Sequence, residues 1–160
     1  MEDILKILEE NARISFQDLA KLTGRKESEV KNTVSKLEKR GIILKYKTVI
    51  NKELLAGEKS VVALIEVKVT PQKDVGFDAI AERIYKFAEV KSCYLLSGTY
   101  DLLLVIEGKD IHTVANFVAE KLSPLEPVRG TVTHFMLKKY KEDGVILKRK
   151  KDIRRLTITY

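Results

Sequence analysis

The sequence predicts an α+β chain in two parts, a trihelical N-terminal part followed by a β-α-β-β-α-β part. Two observations predict it. Apolar residues recur at helical spacing through the first forty positions, and from Ser60 onward alternating β-branched runs change places with two further helical stretches. Apolar residues make up 44% of the 160 residues and charged residues 33%, enough for a packed core and too apolar for a disordered tail.

Ile4, Leu5, Ile7 and Leu8 give a first amphipathic helix over about 2–11, with Asn11-Ala12-Arg13 as its exit. Ser15 follows as an N-cap, with Asp18 where a capping box carries Glu or Gln. Phe16, Leu19, Ala20 and Leu22 are expected on the buried side of a second helix. Gly24 can take the left-handed conformation that ends one helix and lets another start at a steep angle. Val30, Val34 and Leu37 then mark a third helix over about 27–40, which Gly41 ends. Ile42, Ile43, Leu44, Tyr46, Val49 and Ile50 suggest a β segment. This order is the layout of a helix-turn-helix unit with a wing, over 1–50.

The exposed face of the third helix carries the first functional expectation. Arg25 and Lys26 stand at its start, and Ser28, Lys31, Asn32, Ser35, Lys36 and Lys39 follow on one side. Cations neutralise phosphates, and Ser or Asn can read base edges, so double-stranded DNA is the expected partner. Glu27 and Glu29 run against that reading unless they serve the helix N-terminus.

A polar connection over 51–60 forms the expected linker. Val61, Val62, Ala63, Leu64, Ile65, Val67 and Val69 read as a strand that Pro71 stops. Phe77, Ile80, Ala81, Ile84 and Phe87 share a helix face over about 74–87. Strands over 89–97 and 100–107 are joined at Ser97-Gly98-Thr99, a hairpin signal. Ile111, Val114, Ala115, Val118 and Leu122 make a second helix face, and a fourth strand runs over about 128–139. The order over 61–141 is the ferredoxin-like one, two helices on one sheet face. Leu64, Val105 and Phe135 are expected on the other face, where a second copy of the sheet would cover them. The remaining 142–160 is basic, with the run Lys148-Arg149-Lys150-Lys151, and its Leu156-Thr157-Ile158-Thr159 reads as an added strand.

Charge is unevenly spread. Residues 1–50 hold 11 basic and 8 acidic side chains, residues 51–133 hold 10 and 12, and residues 134–160 hold 9 and 3. Basic ends suit an anionic polymer. The single cysteine, Cys93, excludes an internal disulfide and a cysteine zinc cluster, and it reads as a small core residue. His112 and His134 are too far apart for a local metal motif. No cofactor is implied. No apolar run approaches the ~18 residues of a membrane span, and the acidic start Met1-Glu2-Asp3 lacks the basic opening of a signal peptide, so a cytoplasmic protein without a membrane partner is expected.

Three stretches resemble the Lrp/AsnC family, the feast/famine regulators of bacteria and archaea. They are the run from Asp3 to Ser15, the run from Val34 to Ile43, and Leu96-Ser97-Gly98-Thr99-Tyr100-Asp101. Leu137 to Gly144 is similar to archaeal members. The resemblance implies a regulator of transcription whose dimers assemble further, often to octamers, and whose DNA affinity or assembly responds to an amino acid held near the hairpin motif. By position it implies an effector site at Gly98, Tyr100 and Asp101, with Thr131 and Thr133 on the last strand. Backbone N–H groups around Gly98 can hold a carboxylate, and Asp101 can accept from an α-ammonium. The sequence departs from the family at Lys26-Glu27, where a Ser-Pro type of cap is usual, and at Thr33, where Arg is frequent. Two other readings stay open. One is an enzyme similar to siroheme decarboxylases, for which Tyr100, Arg129 and His134 are the available material. The other is an architectural protein that binds DNA without sequence preference.

Overall fold

Three short helices are built from the predicted periodicity, each ended by a local device. The computed structural model describes residues 1–57, 60–71 and 76–147. Helix α1 spans Glu2–Glu10, α2 Phe16–Thr23 and α3 Glu27–Lys39. Ser15 caps α2: its Oγ accepts from the Asp18 N–H at 3.0 Å and donates to the Asp18 carboxylate at 2.6 Å. The hydroxyl bond to its carboxylate holds the Asp18 carboxyl below its usual range, with the paired Lys21 adding to the effect. Gly24 follows at φ 65°, the left-handed turn between α2 and α3, and Gly41 ends α3 at φ 66°. Ile4, Leu19, Ala20, Val30 and Val34 make a separate small core.

Two expectations for this unit are corrected. Phe16 and Leu22 are 40% and 67% exposed, so α2 buries only Leu19 and Ala20. An eight-residue helix offers the core a single narrow stripe, and those two residues fill it. Residues 42–50 contain no strand. The N–H groups of Ile42 and Ile43 instead donate to the Leu37 carbonyl, closing α3, and Tyr46 donates to Glu38 at 2.9 Å.

A second compact unit begins at Asn51. A 3-10 turn, Lys52–Leu54, precedes β1 (Val61–Val69). Helix α4 (Asp78–Tyr85), β2 (Val90–Leu95), β3 (Leu102–Gly108), α5 (Ile111–Asn116, prolonged by a π turn Phe117–Leu122) and β4 (Val128–Phe135) follow. All pairings are antiparallel, in the order β2-β3-β1-β4. A small hairpin, β5 (Lys141–Glu142) with β6 (Val145–Ile146), comes after. The described part of α4 begins later than 74, and the tail from 148, with its basic run and expected strand, lies outside the described residues.

The sheet has one covered face. Ala63, Ile65 and Val67 of β1 and Leu102, Leu104 and Ile106 of β3 pack with Ile80 and Ile84 of α4 and Val114, Phe117 and Leu122 from α5 and its π turn. The wider π turn puts Phe117 and Leu122 on the core side, five residues apart, while Ile111 and Ala115, expected there, are exposed. The Cys93 thiol packs against this core, and burial pushes its pKa up, away from nucleophilic use.

The opposite face carries Val62, Leu64, Leu103, Val105, Tyr94 and Val132, as the pairings Leu64↔Val105, Glu66↔Leu103 and Glu66↔Val132 require. Phe135 is not among them. It pairs with Ala63 and therefore stands on the helix-covered face, where it remains 37% exposed at the sheet edge.

Candidate functional site

Two surfaces carry functional chemistry, one in each unit. In the first, α3 presents Ser28, Asn32, Lys36 and Lys39 to solvent, with Ser35 half-buried. The helix itself explains why: Val30, Val34 and Leu37 take its inner side, and the intervening polar residues must point out. The predicted contacts differ in what already holds them. Arg25 forms a two-bonded ion pair with Asp3, at 2.9 and 3.1 Å. Lys31 pairs with Glu27 at 2.7 Å and lies over the Phe16 ring. Lys36 and Lys39 have no ion-pair partner among the described residues, and neither does Arg40, which the sequence reading missed. Arg40 ends the α3 run of charge and was readable only as a terminal cation.

Lys26 is the N-cap of α3 and caps with no side-chain bond. Glu27 and Glu29 fill the first turn, where carboxylates favour the helix dipole. Thr33 turns back on its own helix and donates to the Glu29 carbonyl at 2.8 Å.

In the second unit, the turn between β2 and β3 meets the middle of the sheet. Gly98 has φ 145°, a conformation that a side chain disfavours, and it opens the turn. The Gly98 and Thr99 N–H groups donate to no described partner. The turn is tied down by Asp101. Its N–H donates to the Val67 carbonyl, its Oδ2 accepts from the Val69 N–H at 2.9 Å, and its Oδ1 from Lys68 at 3.2 Å. The Val69 N–H, ahead of Lys68, holds the Asp101 carboxyl below its usual range. Both oxygens are thus occupied at the β1 bulge between Lys68 and Val69.

Beside this turn lies a groove of about 280 Å³ lined by Glu66, Lys68, Thr99, Tyr100, Gly130 and Thr131, with Val132 at its edge. Of the predicted effector residues, it gathers Tyr100 and Thr131. Gly98, Asp101 and Thr133 do not line it; Thr133 pairs with Ile65 and belongs to the helix-covered face. Glu66 and Lys68 are the residues that sequence reading missed. Their signal was two charges of opposite sign interrupting the apolar alternation of β1. Of the groups considered for an enzyme, only Tyr100 lines this groove. Arg129 donates to Thr70 at 2.7 Å, His134 lies 3.1 Å from Glu66, and neither lines the groove with Tyr100. Among the described residues, no group of His, Cys, Asp and Glu could hold a metal ion, and no helix is long and apolar enough to cross a membrane.

With both surfaces placed, the sequence can be set beside known proteins. Residues 62–146 match the Lrp/AsnC ligand-binding domain, and residues 2–43 match a winged helix-turn-helix DNA-binding domain. The chain belongs to the Lrp/AsnC family. It is 47% identical over 157 residues to YugG, an uncharacterized HTH-type transcriptional regulator of Bacillus subtilis, covering 98% of this chain and 95% of that one. It is 32% identical over 139 residues to the HTH-type transcriptional regulator Ptr1 of Methanocaldococcus jannaschii, covering 87% and 90%. Among solved structures, the transcriptional regulator NMB0573 of Neisseria meningitidis, in complex with L-Met, superposes with a TM-score of 0.68 at 28% identity, covering 88% and 89%. The expected fold class holds, and the protein is a DNA-binding regulator of transcription of the Lrp/AsnC type.

Proposed function

We propose that this regulator reads specific DNA sequences through α3 and that its activity responds to an amino acid bound in the groove beside Tyr100. One observation carries the effector reading. The groove places a carboxylate, Glu66, and an ammonium, Lys68, on adjacent outward positions of one strand, with Thr99, whose N–H has no described partner, on its lining. A zwitterion needs both signs at short range: Lys68 and the Thr99 N–H suit its carboxylate, and Glu66 suits its α-ammonium. Tyr100 borders the side chain of the effector, Thr131, which shares the face of Val67, borders the groove through its backbone, and Asp101 acts by positioning Lys68 and the turn. The L-Met complex of the Neisseria protein supports an amino-acid class.

DNA contact is assigned to Arg25, Lys26, Lys31, Lys36 and Lys39 at phosphates and to Ser28, Asn32 and Ser35 at bases. The apolar outer sheet face, with Leu64 and Val105 at its centre, supports a homodimer joined there that assembles further, to an octamer or a similar form, in the cytoplasm.

A thermal-shift screen of the twenty amino acids tests the effector reading, with sizing by light scattering with and without each hit. At 100 times its Kd, a true effector adds about 2.7 kcal/mol to stability. A hit whose shift vanishes in Glu66→Gln supports the site. Twenty flat traces sink the effector reading. Footprinting against random competitor separates specific from architectural binding, and equal competition overturns specificity.

A further inference from the structure

The two flanks of α3 are chemically unlike. Glu27, Lys31 and Glu38 share one flank, and their charges are satisfied locally by the Glu27–Lys31 pair and by the Tyr46 hydroxyl on Glu38. Lys36 and Arg40, four residues apart, share the other flank. There they join Arg25 and Lys39 around a cleft of about 380 Å³ floored by Leu37 and Thr33, with Met1 at its rim. The acid paired with Arg25, Asp3, also accepts from the N-terminal amine and does not line the cleft. Glu29 lies on the same flank two turns before Lys36 and does not line the cleft.

A helix with its side chains is about 10–12 Å across and fills a major groove about 12 Å wide, so its flanks face the two phosphate walls. Only one flank of α3 offers uncompensated positive charge to such a wall. We infer that the cleft seats a phosphodiester of the DNA backbone, with Arg40 and Lys36 as its cationic walls and Arg25 held in position by Asp3. The guanidinium of Arg40 suits two non-bridging oxygens at once, and Lys36 supplies a point charge. The inference rests on the DNA-binding reading and adds to it a residue, Arg40, and an orientation: α3 turns its Lys36–Arg40 flank to the phosphate wall.

The test is fluorescence anisotropy of the full chain on a labelled random-sequence duplex across a KCl series. Lys36→Gln with Arg40→Gln should lower the slope of log K against log salt by about two. The conservative pair, Lys36→Arg with Arg40→Lys, should keep most of the wild-type slope and checks that the fold is intact. Lys86→Gln with Lys109→Gln removes the same charge from the other unit and should leave the slope unchanged. An unchanged slope in the Lys36/Arg40 variant overturns the cleft while wild-type binding keeps the DNA reading; a wild type that binds no duplex overturns both. An equal fall in the Lys86/Lys109 variant would also overturn it, because net charge alone would then explain the effect. Inorganic phosphate is the last arm. If it raises the wild-type Tm at low millimolar concentration, and the Lys36/Arg40 variant loses that shift without losing slope, a free anion is the ligand and the proposal fails.

Discussion

Three cations of α3 and three carboxylates of the sheet unit differ in one respect: the three carboxylates are already engaged. Asp101 spends both oxygens on the β1 bulge, Glu107 accepts from Lys52 and Ser60, and Glu89 pairs with Lys121. Lys36, Lys39 and Arg40 have no such partner among the described residues. The difference teaches that charge type alone does not mark a contact. A side chain left free is available to a partner at once, whereas one already engaged must share or exchange its contact, as Glu66 with His134 and Lys68 with Asp101 must when an effector binds. Lys31 and Arg25 lie between these cases, since each is predicted to meet DNA yet carries an intramolecular partner.

The comparison can be broken from the packing side first. The two units have separate cores, so a cavity in one should spare the other. Leu104, fully buried beneath α4 and α5, should cost about 2–5 kcal/mol when replaced by alanine. Chemical denaturation followed by circular dichroism would then show a helical transition unmoved beside a weakened sheet transition. A single shifted transition would mean that the units do not unfold independently.

A smaller loss is expected at Ser15. Removing its hydroxyl frees the Asp18 N–H at the start of α2 and should cost about 1 kcal/mol, read in the same experiment as a shift of the helical transition only. No shift would mean that water replaces the cap at no cost.

Smaller again is the pH effect of Asp101. Its carboxyl is held below the usual range first by the Val69 N–H and then by Lys68, so the ionised form favours the fold. That stabilisation is fully present above the unfolded-state value near ~3.9 and is lost as pH falls through the lower folded-state value. Asp101→Asn should therefore be less stable than wild type at neutral pH, with the gap closing below about pH 4. A gap that does not narrow as pH falls below about 4 would show that geometry, not charge, carries the effect.

Much of the fold was legible because its signals are local. Gly24, the Ser15 cap and the Val30, Val34, Leu37 stripe each specify their structure within one or two turns. The errors fall where the deciding partner is distant. The β4 sequence has β-branched residues on both faces, so only its register with β1 reveals that Phe135 accompanies Ala63. Ile42 to Ile50 is apolar enough for a strand but finds no strand to pair with. The π turn shifts the face of α5 in a way no 3.6-residue period foresees. The site follows the same rule. The exposed run of α3 could be read directly, and the hairpin motif pointed to the turn that borders the groove. That Asp101 is saturated, and that Glu66 and Lys68 line the groove, depends on contacts more than thirty residues apart in sequence.

The most direct test of the central claim compares two lysines of one helix. Lys36→Ala and Lys31→Ala remove the same charge five residues apart, one free and the other paired with Glu27. On one duplex across one salt series, Lys36→Ala should lower the slope of log K by about one unit, and Lys31→Ala by well under half of that. Equal losses, or a larger one at Lys31, would contradict the account, because pairing within the fold would then not govern which charges reach DNA.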